Sequence, residues 1–214
     1  MDSQDQRRMA GQLFKPYDPA LKQQKLRAHK LNQDYNALYE DETEKREEIL
    51  KKLLGHLGEG AFLQGPITFH YGVHTRIGEG TFINFHFTCQ DDAPVTIGSN
   101  CCFGPNVTIV TPLHPLLPKE RRAVLDEEGV SSHMCYAKPV VIGNDCWFGA
   151  NVTVCPGVTI GDNVVIGAGS VVTRDIPANT LAVGVPCRVL RELREGDSMR
   201  NFPELLGGCR VMEE

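Results

Sequence analysis

The chain has 214 residues, a formal net charge of −5, 41% hydrophobic and 7% aromatic residues, 21 glycines and eight cysteines. That length holds one medium domain with an appendage or two small ones, and the acidic balance offers no footprint for nucleic acid. Many glycines beside few aromatics imply many turns and thin layers instead of one thick core.

The opening segment MDSQDQRRMAGQ is polar, with no apolar stretch of signal-peptide type, and no run in the chain approaches membrane length. The cysteines are therefore read as thiols of a cytoplasmic protein. Cys101 and Cys102 are adjacent, the rest are scattered and no C-x-x-C pair occurs, so no metal is expected. Residues 1–60 read as a helical cap. ALKQQKLRAHKLNQDYNALYE and DETEKREEILKKLLGHLGEG each suit an amphipathic helix. In the second, Leu50, Leu53, Leu54 and Leu57 fall at i, i+3, i+4 and i+7. Asp41 followed by Glu44 suits its start, and Gly55 or Gly58 its stop. Helices there would hide the open edge of a following stack of strands.

From Ile77 the pattern changes. Ile77, Ile83 and Cys89 are six apart, then Ile97, Phe103 and Ile109 after a slip of two residues near QDDA. From Ile109 to Ile142 the step is 33, so residues 111–138 form an excursion out of the frame. Its entry, TIVTPLHPLLPKERR, holds His114 among Pro112, Pro115 and Pro118. Loops of this length in compact domains are usually functional or disordered, and three prolines favour positioning. Imidazole is the side chain best suited to take a proton near neutral pH, although a histidine on a surface loop is common.

The frame returns unbroken at Ile142, Phe148, Val154, Ile160, Ile166 and Val172, with Gly143, Gly149, Gly161 and Gly167 just after four of these. Cys146, Val152, Val158, Val164 and Ser170 occupy a second small or β-branched slot. A period of six fits neither a 3.6-residue helix nor a two-residue strand. It fits short strands turning a corner every six residues, three corners to a coil, with coils stacked at about 4.8 Å. Gly or Asn is expected at corners that need φ > 0. The fold is read as mainly β, a parallel β-helix over residues 61–192, followed by a tail over 193–214 that leaves the repeat.

The segment IGNDCWFGANVTVCPGVTIGDNVVIGAGSVVTRDIPANTLAVGVPCRVLR resembles the hexapeptide-repeat acyltransferases, which form a left-handed β-helix. RRMAGQLFKPYDPALKQQKLRAHKLNQDYN resembles the N-terminal segment of the maltose and galactoside O-acetyltransferases, so the likeness spans about residues 6–192. The resemblance implies transfer of acetyl from acetyl-CoA to a sugar hydroxyl of maltose, glucose or galactoside type, in a homotrimer with active sites between subunits. CFGPNVTIVTPLHPLLP matches the run that presents the family's catalytic histidine, which makes His114 the implied general base. TFINFHFTCQDDAPVTIG matches an NF…DD run and implies Asn84 as a catalytic partner and Asp92 as an acceptor contact. Asn84 also suits a plain corner turn, and Asp91-Asp92 a solvated one. The resemblance brings Asp18 and His70 to the acceptor as well, although Tyr17-Asp18-Pro19 also reads as a turn and His70 is bulkier than the small polar residue of some relatives.

On the donor side, Ala150 and Ala168 match small residues that admit the pantetheine arm of acetyl-CoA, and Trp147 matches a tryptophan lining the site. Thr173, Arg174, Arg188 and Arg191 are candidates for the phosphates of coenzyme A, or an ordinary charged face. An acetyltransferase for another hydroxyl or amine acceptor and a silent β-helix scaffold are the alternatives. A γ-type carbonic anhydrase is disfavoured because His74 and His86 are 12 apart, not a whole coil. Thiol catalysis by Cys89, Cys101 or Cys102 is disfavoured because Cys101 falls in an inward slot.

Overall fold

The computed structural model describes residues 3–125, 129 and 131–210. Its body is a prism of stacked parallel strands on three faces. The first face carries His56–Leu57, Thr75–Ile77, Val95–Ile97, Val140–Ile142 and Thr159–Ile160. The second carries Phe62–Leu63, Phe82–Ile83, Cys102–Phe103, Trp147–Phe148, Val165–Ile166 and Thr180–Gly184. The third carries Ile67–Phe69, Phe87–Gln90, Thr108–Val110, Thr153–Val154 and Val171–Val172. The coils form a left-handed β-helix.

The six-residue frame becomes vertical columns. Ile77 pairs with Ile97, Ile97 with Ile142, and Ile142 with Ile160. Ile83, Phe103, Phe148 and Ile166 stack likewise on the second face. These side chains are 0–2% exposed, and the slot of Cys146, Val152, Val158, Val164 and Ser170 is equally buried. The prism is too narrow for a mixed core. Its large rings lie over one another, Phe103 on Phe148 at 4.5 Å between centroids and 3° between planes.

Glycine has two tasks here, and at Gly80, Gly157 and Gly169 it takes the left-handed corner with φ of 63–81°. The left-handed conformation falls three residues after the inward residue, at His86, Asn100, Asn106, Asp145, Asn151 and Asn163, with φ of 55–60°. Asn and Asp tolerate that region better than most residues. The glycines immediately after the inward residue instead make room. A Cβ on Gly98 would lie 2.5 Å from the Gly143 carbonyl carbon, and one on Gly149 2.6 Å from the Ala168 nitrogen. Coil stacks on coil through bare main chain at these points.

The open end is covered by helices. Helix α1 spans Gln4–Met9, α2 Pro19–Asn36 and α3 Thr43–Leu53. Asn32 and Asn36, one turn apart on α2, act as a substitute strand. Their amide oxygens accept from the Phe69 and Ile67 N–H groups at 3.1 and 2.8 Å, and their Nδ2 groups donate to the carbonyls of the same residues at 2.7 and 2.8 Å. Arg46 from α3 donates to the carbonyls of Leu63 and Gln64, both at 2.7 Å. The edge of the first coil is thus paired by side chains, so it does not invite another strand. Helix α3 stops just before Gly55, one of the two expected stops, but differs from expectation in its start and in the place of Leu57. Its N-cap is Glu42 and not Asp41, and Leu57 belongs to the first-face strand.

The excursion is an arm. Pro112–Leu113 leaves antiparallel to Tyr136–Ala137, and Val124–Leu125 pairs with Ser131–Ser132. Pro118 opens a short helix α4, Pro118–Arg121, where a missing N–H costs nothing. The chain past Thr180–Gly184 doubles back through Cys187–Glu192. The tail then adds a short helix α5, Pro203–Leu206.

Candidate active site

A cleft of about 670 Å³ opens where the third face turns toward the first, beneath the arm. His70, Gln90 and Asp92 come from successive coils, His114, Arg121, Arg122, His133 and Cys135 from the arm, and Tyr17 and Lys25 from the N-terminal segment. The base of the arm is fixed to that segment. The Phe14 N–H donates to the Cys135 carbonyl at 2.8 Å, and the Cys135 N–H returns the bond to Phe14 at 3.1 Å.

His114 has a defined tautomer. Its Nδ1 lies 2.9 Å from the Met134 carbonyl. A carbonyl only accepts, so Nδ1 carries the hydrogen and Nε2 carries the lone pair. The neighbouring His133 is held the same way, by Nδ1 donating to the Arg121 carbonyl at 2.7 Å.

The two acids of the QDDA turn divide their tasks. Asp91 is fully buried and accepts from the Tyr71 N–H at 2.7 Å and the Thr75 hydroxyl at 2.9 Å, so it holds the corner together. Asp92 lines the cleft although only 4% of its surface is exposed. Burial raises its carboxyl to about 6, against the opposing charges of Arg8 and Lys25. Burial likewise lowers His70, with help from Lys25 and His29, to about 4, so this imidazole is neutral at physiological pH. Lys25 is also lowered by burial, with Asp92 pulling the other way, and its Nζ donates to the Pro16 carbonyl at 2.6 Å.

Asp18 does not join this cleft. Its carboxylate caps α2, accepting from the Ala20 N–H at 3.0 Å and the Leu21 N–H at 3.4 Å. Asp18-Pro19 was legible as an N-cap followed by proline at the first helical position. Lys25, Tyr17, His133 and Cys135 are the residues that sequence reasoning missed. Their spacing shows nothing unusual, and only the folding of the arm and α2 onto one corner brings them together.

The remaining candidates fall on two edges of the third face. His70, Asp92, His114, Thr173 and Arg174 follow its strands, at the corner shared with the first face. Asn84, Ala150 and Ala168 precede it, at the corner shared with the second. Trp147 and Arg188 lie on the second face, and Trp147 points outward with 56% of its surface exposed. Within one chain the third face therefore separates Asn84 from His114, and the structure does not bring the expected pair together. The Oδ1 of Asn84 accepts from the Phe85 N–H at 2.7 Å. Arg191 is held by the tail in a two-pronged ion pair with Asp197, at 2.6 and 2.7 Å.

The thiols carry no catalytic arrangement. Cys89 and Cys101 are buried at 0 and 1% exposure, and burial pushes Cys89 well up. Cys135 lies 3.5 Å from His114 Nδ1, but burial raises it to about 11, so it packs against the ring as a neutral thiol. Among the described residues no group of three or more histidine, cysteine or acidic side chains is placed to hold a metal ion. Among those residues, too, no helix is long and apolar enough to cross a membrane.

Residues 7–58 match the maltose acetyltransferase hexapeptide capping motif, residues 139–174 the six-repeat bacterial transferase hexapeptide, and residues 94–113 a hexapeptide repeat of succinyl-transferase. The chain is 41% identical over 195 residues to a galactoside O-acetyltransferase of Escherichia coli K12, covering 91% of this chain and 92% of that one. A crystal structure of a maltose O-acetyltransferase from Clostridium difficile 630 superposes with a TM-score of 0.83 at 39% identity, covering 91% and 99%. A galactoside acetyltransferase in complex with coenzyme A superposes with a TM-score of 0.84 at 41% identity, covering 92% and 94%.

Proposed function

The chain belongs to the galactoside and maltose O-acetyltransferase family of hexapeptide-repeat transferases, and from that premise we propose how its residues carry acetyl from acetyl-CoA to a sugar hydroxyl. His114 Nε2 takes the proton of the acceptor hydroxyl. The oxygen attacks the thioester carbonyl, the C–S bond breaks, and the imidazolium returns the proton to the departing thiolate. Acetyl passes directly, with no covalent enzyme intermediate. The observation that carries this reading is the Met134 carbonyl on His114 Nδ1, which leaves the basic lone pair on Nε2, while His114 and Asp92 line the same cleft. Asp92, as a carboxylate, accepts from sugar hydroxyls, and neutral His70 offers a donor or an acceptor.

The two-edged distribution of candidates supports a homotrimer. A second copy set against the third face would place its Asn84 corner beside this chain's His114 corner. Acetyl-CoA would then run between copies, over Ala150 and Ala168, past Trp147, with Arg188 on one side and Thr173 and Arg174 on the other. A cytoplasmic location fits eight cysteines that are all unpaired.

The test is thiol release from acetyl-CoA with maltose, glucose, galactosides and an aminosugar, the protein's own thiols being blocked. His114→Ala should keep the fold and lower turnover by about 10²–10⁴. Mixing His114→Ala with Asn84→Ala and letting subunits exchange should restore about one site in four if each site spans two copies. No recovery from the mixture would refute the shared site. No sugar-dependent release, while acetyl-CoA still binds, would move the acceptor to another class.

A further inference from the structure

Behind the acceptor side of the cleft lies an arginine that the transfer itself does not require. Arg8 is on α1, and its side chain is fully buried. Its Nη1 donates to the main-chain carbonyl of Asp92 at 2.8 Å. Its Nη2 pairs with Asp5 and donates to His74 Nε2 at 2.7 Å. The guanidinium lies over the Tyr71 ring at 4.3 Å, and its Nε has no partner among the described residues.

Burying a guanidinium with a donor unsatisfied is unfavourable unless it does something a packed apolar side chain would not. We propose that Arg8 is a positioning residue of the acceptor site: it fixes the Asp92 turn through its carbonyl and supplies the buried positive charge behind the Asp92 carboxylate. Helix α1 is then part of the specificity apparatus as well as a cover for the prism. This rests on the reading of Asp92 as an acceptor contact.

The groups facing Asp92 are few. They are Arg8 from α1, Lys25 from α2, Asp91 beside it in the turn, Cys89 from the strand before it, Tyr71 from the preceding corner and Cys135 from the arm. Asp91 is already bonded to Tyr71 and Thr75. Lys25 lines the open cleft together with Asp92, whereas Arg8 is fully buried. Asp5, 45% exposed, is the counter-charge that moderates Arg8.

Two substitutions should therefore act in opposite directions. Arg8→Met removes the charge and should move the acid limb of kcat/KM for the sugar to higher pH, with sugar KM at pH 7 raised about twofold if the limb moves up by one unit and about tenfold if it moves by two. Arg8→Lys should restore the limb. Asp5→Asn leaves Arg8 unopposed and should move the limb to lower pH. KM for acetyl-CoA should stay the same in all three. If Arg8→Met does not fold, Asp5→Asn and Arg8→Lys still decide the matter. An acid limb unmoved by these changes would overturn the proposal, and so would an Arg8→Met effect that persists undiminished in an Asp92→Asn background. If Asp92→Asn itself leaves sugar KM unchanged, the acceptor role of Asp92 falls first and that of Arg8 with it.

Discussion

Replacing Asp92 by asparagine should make the protein more stable as it makes it less active, and the stability gain should depend on pH in a defined way. An ordinary aspartate titrates near 3.8, and burial raises Asp92 to about 6. Between those values the folded chain holds a proton that the unfolded chain has released. Stability therefore falls as pH rises through this window and is level above it. Each pH unit corresponds to about 1.4 kcal/mol, so the wild-type protein loses about 3 kcal/mol between pH 4 and pH 7 through this one group. Asparagine has nearly the same shape and never ionises. At pH 7.5 the variant should unfold about 6–12 °C higher, given about 2–4 °C per kcal/mol for a chain of this size. At pH 4 the two proteins should unfold together. Thermal unfolding of both, followed from pH 4 to pH 8, measures the difference. A gap that is constant across the range would refute the reasoning, because it would come from packing and not from the buried charge. The same variant should lose sugar affinity, a trade common where a site keeps an unfavourable group for its function.

Arg188→Ala should raise KM for acetyl-CoA and leave kcat nearly unchanged, and an unchanged KM would remove Arg188 from the donor site. Gly98→Ala should lower stability by about 1–3 kcal/mol or more. Its new Cβ would meet the Gly143 carbonyl carbon and oxygen at 2.5 Å, and these main-chain atoms cannot swing away as the Asn144 side chain, with Oδ1 at 2.6 Å, could. An unfolding temperature equal to that of the wild type would mean that the coils stand farther apart than they do here.

The prism was legible because its rule is short and repeated. Six inward positions in one unbroken series leave one geometry that buries them all. The arm showed itself as a gap in that rule, and His114 as a histidine held in the gap. Glycine was harder to interpret, since the residue that fits a left-handed corner also fits a close approach of two backbones. Asn100 and Gly98 lie two residues apart and serve these needs separately. The buried polar set around Asp92 was not legible. Arg8 reaches His74 across 66 residues and the Asp92 carbonyl across 84, and its own neighbourhood in the sequence is merely polar. Nor does a single sequence show that Asn84 and His114 fall on different edges, because that depends on counting faces after the slip at QDDA. Asp18 and Arg191 are engaged locally. Each has a nearer partner, the first turn of α2 for one and Asp197 for the other.

Ile109 and Val154 are neighbours in the stack although 45 residues separate them in sequence. The arm leaves and re-enters at one corner as a paired ribbon, so the coils above and below it meet as though it were absent. Such a junction lets evolution, or a protein engineer, exchange the reading head without rebuilding the frame. Lengthening, shortening or replacing the ribbon beyond Leu113 and Tyr136 alters what the cleft admits, and the columns of the prism never register the change. Diversity of acceptors within one architecture is then expected to concentrate in this ribbon and in the N-terminal segment clasped to it at Phe14, while the coils stay uniform.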